Sequence, residues 1–261
     1  MPADVQQLRR LAPLMELRQY RVHPGKRDVL MELFEREFIE SQEALGVKII
    51  GQFRDLDDPD LFVWVRGFDD LPQRAGALAA FYGGPVWQAH RAAANATMVD
   101  SDNVLQLRPA REELAFWLAP AARPPQGATA QPAALIVATI YYLRAPAADN
   151  FIDWFEQSLK PLLRAAGAAP LASLVTDPSP NNFPNLPVRE DESVFVWFAW
   201  FEDQPAYERY LAELSRLPGW LAQSMRLAAC LERSPEVHRL SPGARSLLRS
   251  RPPTRSNDAS Q

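Results

Sequence analysis

The chain has 261 residues, of which 47% are hydrophobic, and a formal net charge of −4. A single cysteine excludes an intrachain disulfide and any multi-cysteine metal site, and three histidines leave little material for a metal-binding cluster. No apolar stretch approaches the ~18 residues needed to span a bilayer, and no basic motif typical of a nucleic-acid binder is found. We therefore expect a cytoplasmic protein without metal or cofactor, and without membrane or nucleic-acid partners.

The first half of the chain has the pattern of one α+β unit. Its predicted elements are, in chain order, a strand over 14–22, a helix over 26–45, strands over 47–54 and 61–68, helices starting after 70 and over 86–97, and a strand over 103–107. This βαββαβ order is typical of a ferredoxin-like unit, an antiparallel sheet with both helices on one face.

The second half repeats the first. FVWVRGFDD at 62–70 returns as FVWFAWFED at 195–203, and Tyr20 has Tyr141 as its counterpart. The predicted elements are a strand over 134–144, a helix over 149–166, strands over 171–176 and 193–201, helices through 204–233 and a strand over 236–240. An insertion at 178–190 is rich in proline and asparagine, which predicts a surface loop.

These patterns predict an α+β fold of two tandem ferredoxin-like units with antiparallel sheets, of the dimeric α+β barrel type. The boundaries are an N-terminal domain over 14–109, a linker over 110–132, a divergent repeat over 133–241 and a disordered basic tail over 242–261. Each sheet has a bare face, so we expect the two sheets to pack into an intrachain barrel, although pairing with a second chain stays open. Unpaired barrel edges would recruit a partner, which predicts a homo-oligomer.

Strand alternation divides FVWVRGF into two faces. Phe62, Trp64, Arg66 and Phe68 share one face, which we assign to the space between the sheets, and Val63, Val65 and Gly67 are assigned to the helix side.

Ionisable residues distinguish the two halves. Glu16, Arg18 and Arg66 in the first half correspond to Val137, Thr139 and Ala199 in the second. Buried charges are costly unless paired, so this asymmetry indicates either a small-molecule pocket or a satisfied ion pair. The sequence leaves both open.

Other side chains could reach such a pocket. His90 follows Trp87 on a helical pattern and could act as a base, while Tyr20 and Tyr82 could donate to a substrate oxygen. Side chains of these types more often have a structural role. The candidate ligand-binding residues are Glu16, Arg18, Tyr20, Gln52, Trp64, Arg66, Tyr82, Trp87 and His90. No catalytic residue is assigned, since the chain has no nucleophile elbow, Walker loop or dinucleotide fingerprint.

Three segments, ELRQYRVHPGKRDVLMELFE, GVKIIGQFRDLDDPDLFVWVRGFDD and AFYGGPVW, resemble the NIPSNAP domain from residue 15 to about residue 107. The resemblance implies a dimeric α+β barrel fold, often with tandem units, and an activity that is poorly defined. The matching positions are Glu16, Arg18, Tyr20, Pro24, Gly25, Gly51, Gln52, Arg54, Phe62, Trp64, Arg66, Phe68, Phe81, Tyr82, Gly83, Gly84, Pro85 and Trp87. The second half departs from the pattern at the charged positions.

The leading hypothesis is that an apolar small molecule binds in an aromatic chamber between the sheets. The protein would act as a carrier or as a cofactor-free enzyme, for which relatives with this barrel architecture imply an oxygenase or isomerase. The alternative is a non-enzymatic interaction or scaffold protein with a filled barrel. A haem-binding form would need His23, His90, His238 or Cys230 as its axial ligand.

Overall fold

The computed structural model describes residues 9–118 and 123–251. The first half contains β1 (Arg9–Arg10), β2 (Leu14–Val22), α1 (Arg27–Leu33), a π-helical segment (Phe34–Phe38), α2 (Ile39–Glu43), β3 (Lys48–Asp55), β4 (Leu61–Phe68), α3 (Leu71–Gly83), α4 (Pro85–Asn95), β5 (Met98–Asp100) and β6 (Val104–Pro109). Gly46, with φ at +84°, lies just beyond α2 and takes the left-handed conformation that commonly ends a helix. The Asp70 carboxylate accepts from the backbone N–H of Gln73 at 2.7 Å and caps α3.

The second half follows a short 3-10 turn (Glu112–Leu114) and β7 (Trp117–Leu118). Its elements are β8 (Leu135–Tyr142), α5 (Asp149–Trp154), a π-helical segment (Phe155–Leu159), α6 (Lys160–Ala165), β9 (Ala169–Thr176), β10 (Val194–Phe201), α7 (Gln204–Leu214), α8 (Trp220–Cys230) and β11 (Glu236–Pro242). The helical stretch predicted over 204–233 is divided where Gly219 takes φ +87°. Within the described ranges, no helix has the length and apolarity needed to cross a membrane.

Eight antiparallel strands close into one barrel, in the order β4-β3-β11-β8-β10-β9-β6-β2, and β2 pairs with β4 to complete the ring. The two halves meet along the β3–β11 and β6–β9 seams. The predicted α+β fold with an antiparallel sheet is thus confirmed, and the barrel is intrachain. Because every barrel strand is paired on both sides, open barrel edges give no reason for the expected homo-oligomer, whose existence stays a prediction.

The barrel interior is filled by side chains of intermediate size. They include Met15, Leu17, Ile50, Phe53, Val63, Val65, Leu105, Leu107, Ile136, Ala138, Ile140, Leu174, Val194, Val196, Phe198 and Leu240. The predicted chamber between the sheets is therefore wrong. The prediction grouped the residues of β4 on the correct faces but assigned the two faces the wrong way round. Phe62, Trp64 and Phe68 pack against the helices, and Val63 and Val65 point into the barrel.

The physical reason for this reversal is the width of the barrel. An eight-stranded barrel is just wide enough for its own side chains to fill it, which favours branched residues of moderate size. The interior admits Phe53 and Phe198 among its aliphatic residues. Phe62, Trp64 and Phe68 lie in the gap between the sheet and the helices, where Phe34 and Phe38 of the π-helical segment supply matching rings. The Phe34 ring lies 4.7 Å from that of Trp64, centroid to centroid.

The segment that precedes the C-terminus also packs on the barrel. Leu248 is 1% exposed and belongs to the interior cluster, and the Arg245 side chain forms an ion pair with Glu40 and donates to the Pro124 carbonyl. The prediction of a disordered tail over 242–261 is therefore wrong for the residues up to 251, because buried apolar and ion-paired groups hold them. Residues 252–261 lie outside the described residues.

Candidate functional site

A buried carboxylate surrounded by arginines lies between the first half of the barrel and its helices. Glu16 on β2 accepts from Arg18 Nη1 at 2.5 Å, from Arg66 Nε at 2.8 Å and from Arg74 Nε at 2.6 Å. All of these side chains are fully buried. The local fold brings them together: Arg18 is two residues along β2, Arg66 is the register partner of Glu16 on β4, and Arg74 lies on the sheet-facing side of α3. When ionised, the three arginines and one glutamate carry a charge of +2.

The arginines determine the protonation state of Glu16. Burial alone would raise the pKa of this carboxyl, but attraction to Arg66, Arg18 and Arg74 outweighs burial and holds the pKa well below its usual range. Burial alone would lower the pKa of Arg18, yet Tyr20 and Glu16 outweigh it and the pKa is raised. Glu16 is therefore a structural anion and is unsuited to act as a base.

Hydrogen-bond donors remain available around the cluster. Arg18 Nε donates to the Tyr20 hydroxyl at 2.7 Å, and Arg66 Nη1 donates to Gln42 Oε1 at 3.1 Å. Among the described residues, Arg18 Nη2 and Trp64 Nε1 are buried without a hydrogen-bond partner. Burial raises the pKa of Tyr20 to about 12 despite the opposing effect of Arg18, so its hydroxyl is protonated at neutral pH. The arrangement suits an acceptor that carries negative charge.

A cavity of about 120 Å³ lies beside the cluster on the helix side of the sheet. Its lining is mainly aromatic: Tyr20, Phe34, Phe38, Phe62, Trp64, Phe81, Tyr82 and Trp87, with Leu30, Gln42, Ala94, Asn95, Met98, Ser101 and Leu186. A dry cavity of ~150 Å³ holds benzene, so this one is suited to about one six-membered ring.

The charged cluster lies behind this aromatic wall. The Arg18 guanidinium carbon is 5.2 Å from the Tyr20 ring centroid and 5.6 Å from that of Trp64. Arg18 does not line the cavity itself, and its charge acts on the cavity through Tyr20 and Trp64.

The insertion of the second half covers this site. In the loop between β9 and β10, the side-chain Oδ1 atoms of Asn181 and Asn182 accept from Arg74 Nη1 at 3.1 and 2.7 Å. Phe183 stacks on Tyr82 with ring centroids 6.1 Å apart, and Leu186 lines the cavity. Residues 178–190 are a loop, as predicted, and they also form one wall of a site that belongs to the other half of the chain.

The sequence-predicted candidates fall into three groups. Tyr20, Trp64, Tyr82 and Trp87 line the cavity, and Glu16, Arg18 and Arg66 form the cluster behind it. Gln52 and His90 do neither: Gln52 Nε2 donates to Glu35 Oε1 at 2.9 Å, and His90 Nε2 lies 3.5 Å from Glu37 Oε2 with a third of its side chain exposed.

Sequence reasoning missed Arg74, Gln42 and the covering loop. Arg74 had a detectable signal, because it shares the helical face of Ala77, Leu78 and Phe81, where an arginine needs a buried partner. No local pattern predicts that a loop of one half reaches the other.

His238 lies at one end of the barrel between two carboxylates. Its Nδ1 is 2.7 Å from Asp55 Oδ2 and its Nε2 is 3.0 Å from Glu236 Oε1. Burial lowers the pKa of His238, but hydrogen bonds to Asp55 and Glu236 outweigh it and raise the pKa from 6.5 to about 9. A protonated imidazole with both nitrogens engaged is unsuited to bind haem iron.

The chain was compared with proteins of known sequence and structure. The NIPSNAP family model matches residues 15–111. No curated protein sequence matches the chain.

Among solved structures, a "putative monooxygenase" from Lactobacillus acidophilus has 14% identity and a TM-score of 0.52, with 88% of this chain and 94% of that chain covered. A "putative monooxygenase" from Fusobacterium nucleatum has 10% identity and a TM-score of 0.50, with 88% and 92% covered. A NIPSNAP family protein with unknown function from Agrobacterium tumefaciens has 24% identity and a TM-score of 0.35, with 41% and 93% covered.

The first two structures share the barrel fold over 88% of this chain. Sequence identities of 10% and 14% support similarity of fold and give no evidence about activity. The family match covers the stretch in which the sequence resemblance was recognised. Residues 15–111, which contain Glu16, its three arginines and most of the cavity wall, are therefore the part of the chain that matches the NIPSNAP family.

Proposed function

We propose that the first half of the chain binds a small, apolar, single-ring molecule that carries one anionic oxygen, such as a phenolate or an enolate. The observation that carries the proposal is the combination of an aromatic cavity of about 120 Å³ with a buried cluster of charge +2 directly behind it. The cavity size selects one ring, and the positive charge favours the ionised form of its oxygen.

The Tyr20 hydroxyl is the proposed contact to that oxygen. Because it accepts a hydrogen bond from Arg18 Nε, its own proton is free to point toward the cavity. Trp64 Nε1 offers a further donor without a partner among the described residues. Donors of this kind stabilise negative charge and cost little reorganisation when they are held in place before the ligand arrives.

Two halves of like architecture, of which one carries the charges, fit this proposal. We infer that the halves are tandem ferredoxin-like units, since the strand orders β3-β4-β2-β6 and β9-β10-β8-β11 are equivalent. A π-helical segment begins at Phe34 in the first half and at Phe155 in the second, and Asp70 and Asp203 cap corresponding helices. The charged cluster is then a feature of one unit.

The test uses 4-nitrophenol, whose ionised form absorbs visible light, with the full chain. We expect saturable binding in which the bound phenol is ionised at a pH where the free phenol is not. Tyr20→Phe and Arg18→Met should weaken the binding about 10- to 100-fold, because a hydrogen bond to a charged group is worth roughly 1.5–3 kcal/mol. Arg91→Met, which removes an exposed arginine from α4, is the matched control. Equal affinity for toluene, which has no oxygen, would refute the proposal.

A second candidate function is cofactor-free oxygenation of the bound anion. Its support is the donor-rich lining, which suits an electron-rich enolate or phenolate, and the fold shared with two "putative monooxygenases" serves as an analogy. The substrate RH loses a proton to solvent, its anion gives electrons to dioxygen and forms a C–O bond, and the hydroperoxide anion takes up a proton, so that RH and O2 yield ROOH. The described lining residues include no base, so only an acidic substrate qualifies.

Oxygen uptake with 1,3-cyclohexanedione, a single-ring enol acid, tests this activity. We expect uptake by the full chain that falls with Tyr20→Phe. If the unsubstituted chain consumes oxygen no faster than Arg18→Met, oxygenation is rejected and binding remains as the function. If neither 4-nitrophenol binding nor oxygen uptake is seen, the alternative of a non-enzymatic interaction protein is favoured.

A further inference from the structure

A larger cavity lies at the equivalent place in the second half, between β8 and β10 on one side and α7 and α8 on the other. Its volume is about 360 Å³, which is more than twice the ~150 Å³ that holds benzene and within the range of ~300–1,000 Å³ typical of small-molecule pockets. Its lining comprises Val137, Thr139, Tyr141, Leu163, Trp197, Phe201, Tyr207, Tyr210, Leu211, Leu214, Trp220, Ser224, Leu227, Ala228, Leu231, Pro235 and Val237.

No charged side chain lines this cavity among the described residues. The strand register explains the difference from the first half. Ala199 faces Val137 across the β8–β10 pair, as Arg66 faces Glu16 across β2–β4. The Glu16–Arg66 ion pair is thus replaced by small apolar groups, which leaves no local charge to neutralise an ionised ligand.

Hydroxyl groups supply the polar contacts of this cavity. The Tyr141 hydroxyl accepts from Trp197 Nε1 at 3.3 Å and keeps its own proton available. Tyr210 is 5% exposed and lines the cavity, and its hydroxyl has no hydrogen-bond partner among the described residues. A hydroxyl can both donate and accept a hydrogen bond, so a ligand with one uncharged polar group would pair with it.

The rim of the cavity is apolar. Leu211 and Val237 line it and are 47% and 42% exposed. Single exposed apolar residues are ordinary on a protein surface, but two that line one opening favour an apolar ligand over a charged one.

We propose that this cavity is a second binding site, independent of the first, that takes a neutral apolar molecule of two or three rings with one uncharged polar group. The two halves would then divide ligands by charge, the first accepting an anion and the second a neutral molecule.

The test compares N-phenyl-1-naphthylamine with 8-anilinonaphthalene-1-sulfonate, two fluorescent probes with the same ring skeleton that differ by a sulfonate. In titrations of the full chain, we expect saturable binding of the neutral probe and at least 10-fold weaker binding of the sulfonate. Ser224→Trp on α8 should fill the cavity and weaken binding of the neutral probe at least 10-fold. The control is Ala229→Trp, because Ala229 is exposed on α8 and lies outside the cavity lining; this variant should leave the affinity for the neutral probe unchanged.

A far-UV circular dichroism spectrum and a urea unfolding transition like those of the unsubstituted chain show that each variant is folded. If Ser224→Trp does not fold, Ala228→Trp at the exposed edge of the same cavity takes its place. Equal affinity for the two probes, or a neutral-probe affinity that neither cavity variant lowers, would overturn the proposal.

Discussion

Replacing Glu16 by glutamine removes the one carboxylate that, among the described residues, is ion-paired with the three buried arginines. Each contact spans 2.5–2.7 Å between the nearest nitrogen and oxygen. A pair of unit charges about 4 Å apart interacts by ~4 kcal/mol at an effective dielectric constant of 20. Three such attractions oppose the several kcal/mol needed to dehydrate each buried ion and the repulsion among the arginines.

In the Glu16→Gln variant, the arginines repel one another and stay buried. We expect the free energy of unfolding to fall by about 3–5 kcal/mol, the usual cost of removing one partner from a buried ion pair. Urea denaturation followed by tryptophan fluorescence measures this loss, and Glu213→Gln, which removes an exposed ion pair with Arg216, is the matched control with an expected loss below ~1 kcal/mol. A loss below ~1 kcal/mol for Glu16→Gln would refute the reasoning, because it would mean that water or another anion already compensates the arginines.

Three further predictions concern the barrel end, the C-terminal segment and the covering loop. Hydrogen bonds to Asp55 and Glu236 raise the pKa of His238 from 6.5 to about 9. Protonated His238 therefore contributes about 3 kcal/mol to the free energy of unfolding below pH 6.5, and this contribution is lost as the pH rises through 9. Urea titrations of His238→Gln at several pH values should lack this decline, and an equal decline in the variant would exclude His238 as its source. Leu248→Ala should cost roughly 2–5 kcal/mol in a urea titration because Leu248 is 1% exposed, and a loss under ~0.5 kcal/mol would mean that the segment is not part of the core. Phe183→Ala removes the ring that stacks on Tyr82, so the dissociation rate constant of 4-nitrophenol, measured by stopped flow, should rise about 2- to 10-fold. An unchanged dissociation rate would contradict a covering role for the loop.

Much of the secondary structure could be predicted from the sequence, because it rests on local signals. The strand over 61–68 follows alternation and a preceding acidic turn, and the capping Asp70 marks the start of the next helix. Strand alternation also grouped Phe62, Trp64 and Arg66 on one face. Which way that face points depends on the width of the closed barrel, a property of all eight strands together.

The candidates named from the sequence include the charged residues of the cluster and four residues of the cavity lining, but neither the side of the sheet nor the cover was predicted. Glu16, Arg18 and Arg66 were found because ionisable side chains interrupt apolar strands. The cavity was placed on the wrong side of the sheet, and its cover was missed, because Phe183 is more than a hundred residues away in the chain from Tyr82. Contacts of that separation follow from the order in which the strands close and leave no trace in local composition.

The second half of the chain shows that the barrel can be built without the charged cluster. In the proposed repeat, Val137, Thr139 and Ala199 take the positions of Glu16, Arg18 and Arg66, and Ala199 faces Val137 across β8–β10 as Arg66 faces Glu16 across β2–β4. Replacing a buried ion pair with packed apolar groups is often neutral or stabilising, so stability alone gives little reason to keep four charged side chains in the first half. The contrast between the halves therefore favours the proposed role for the cluster in recognising an anionic ligand.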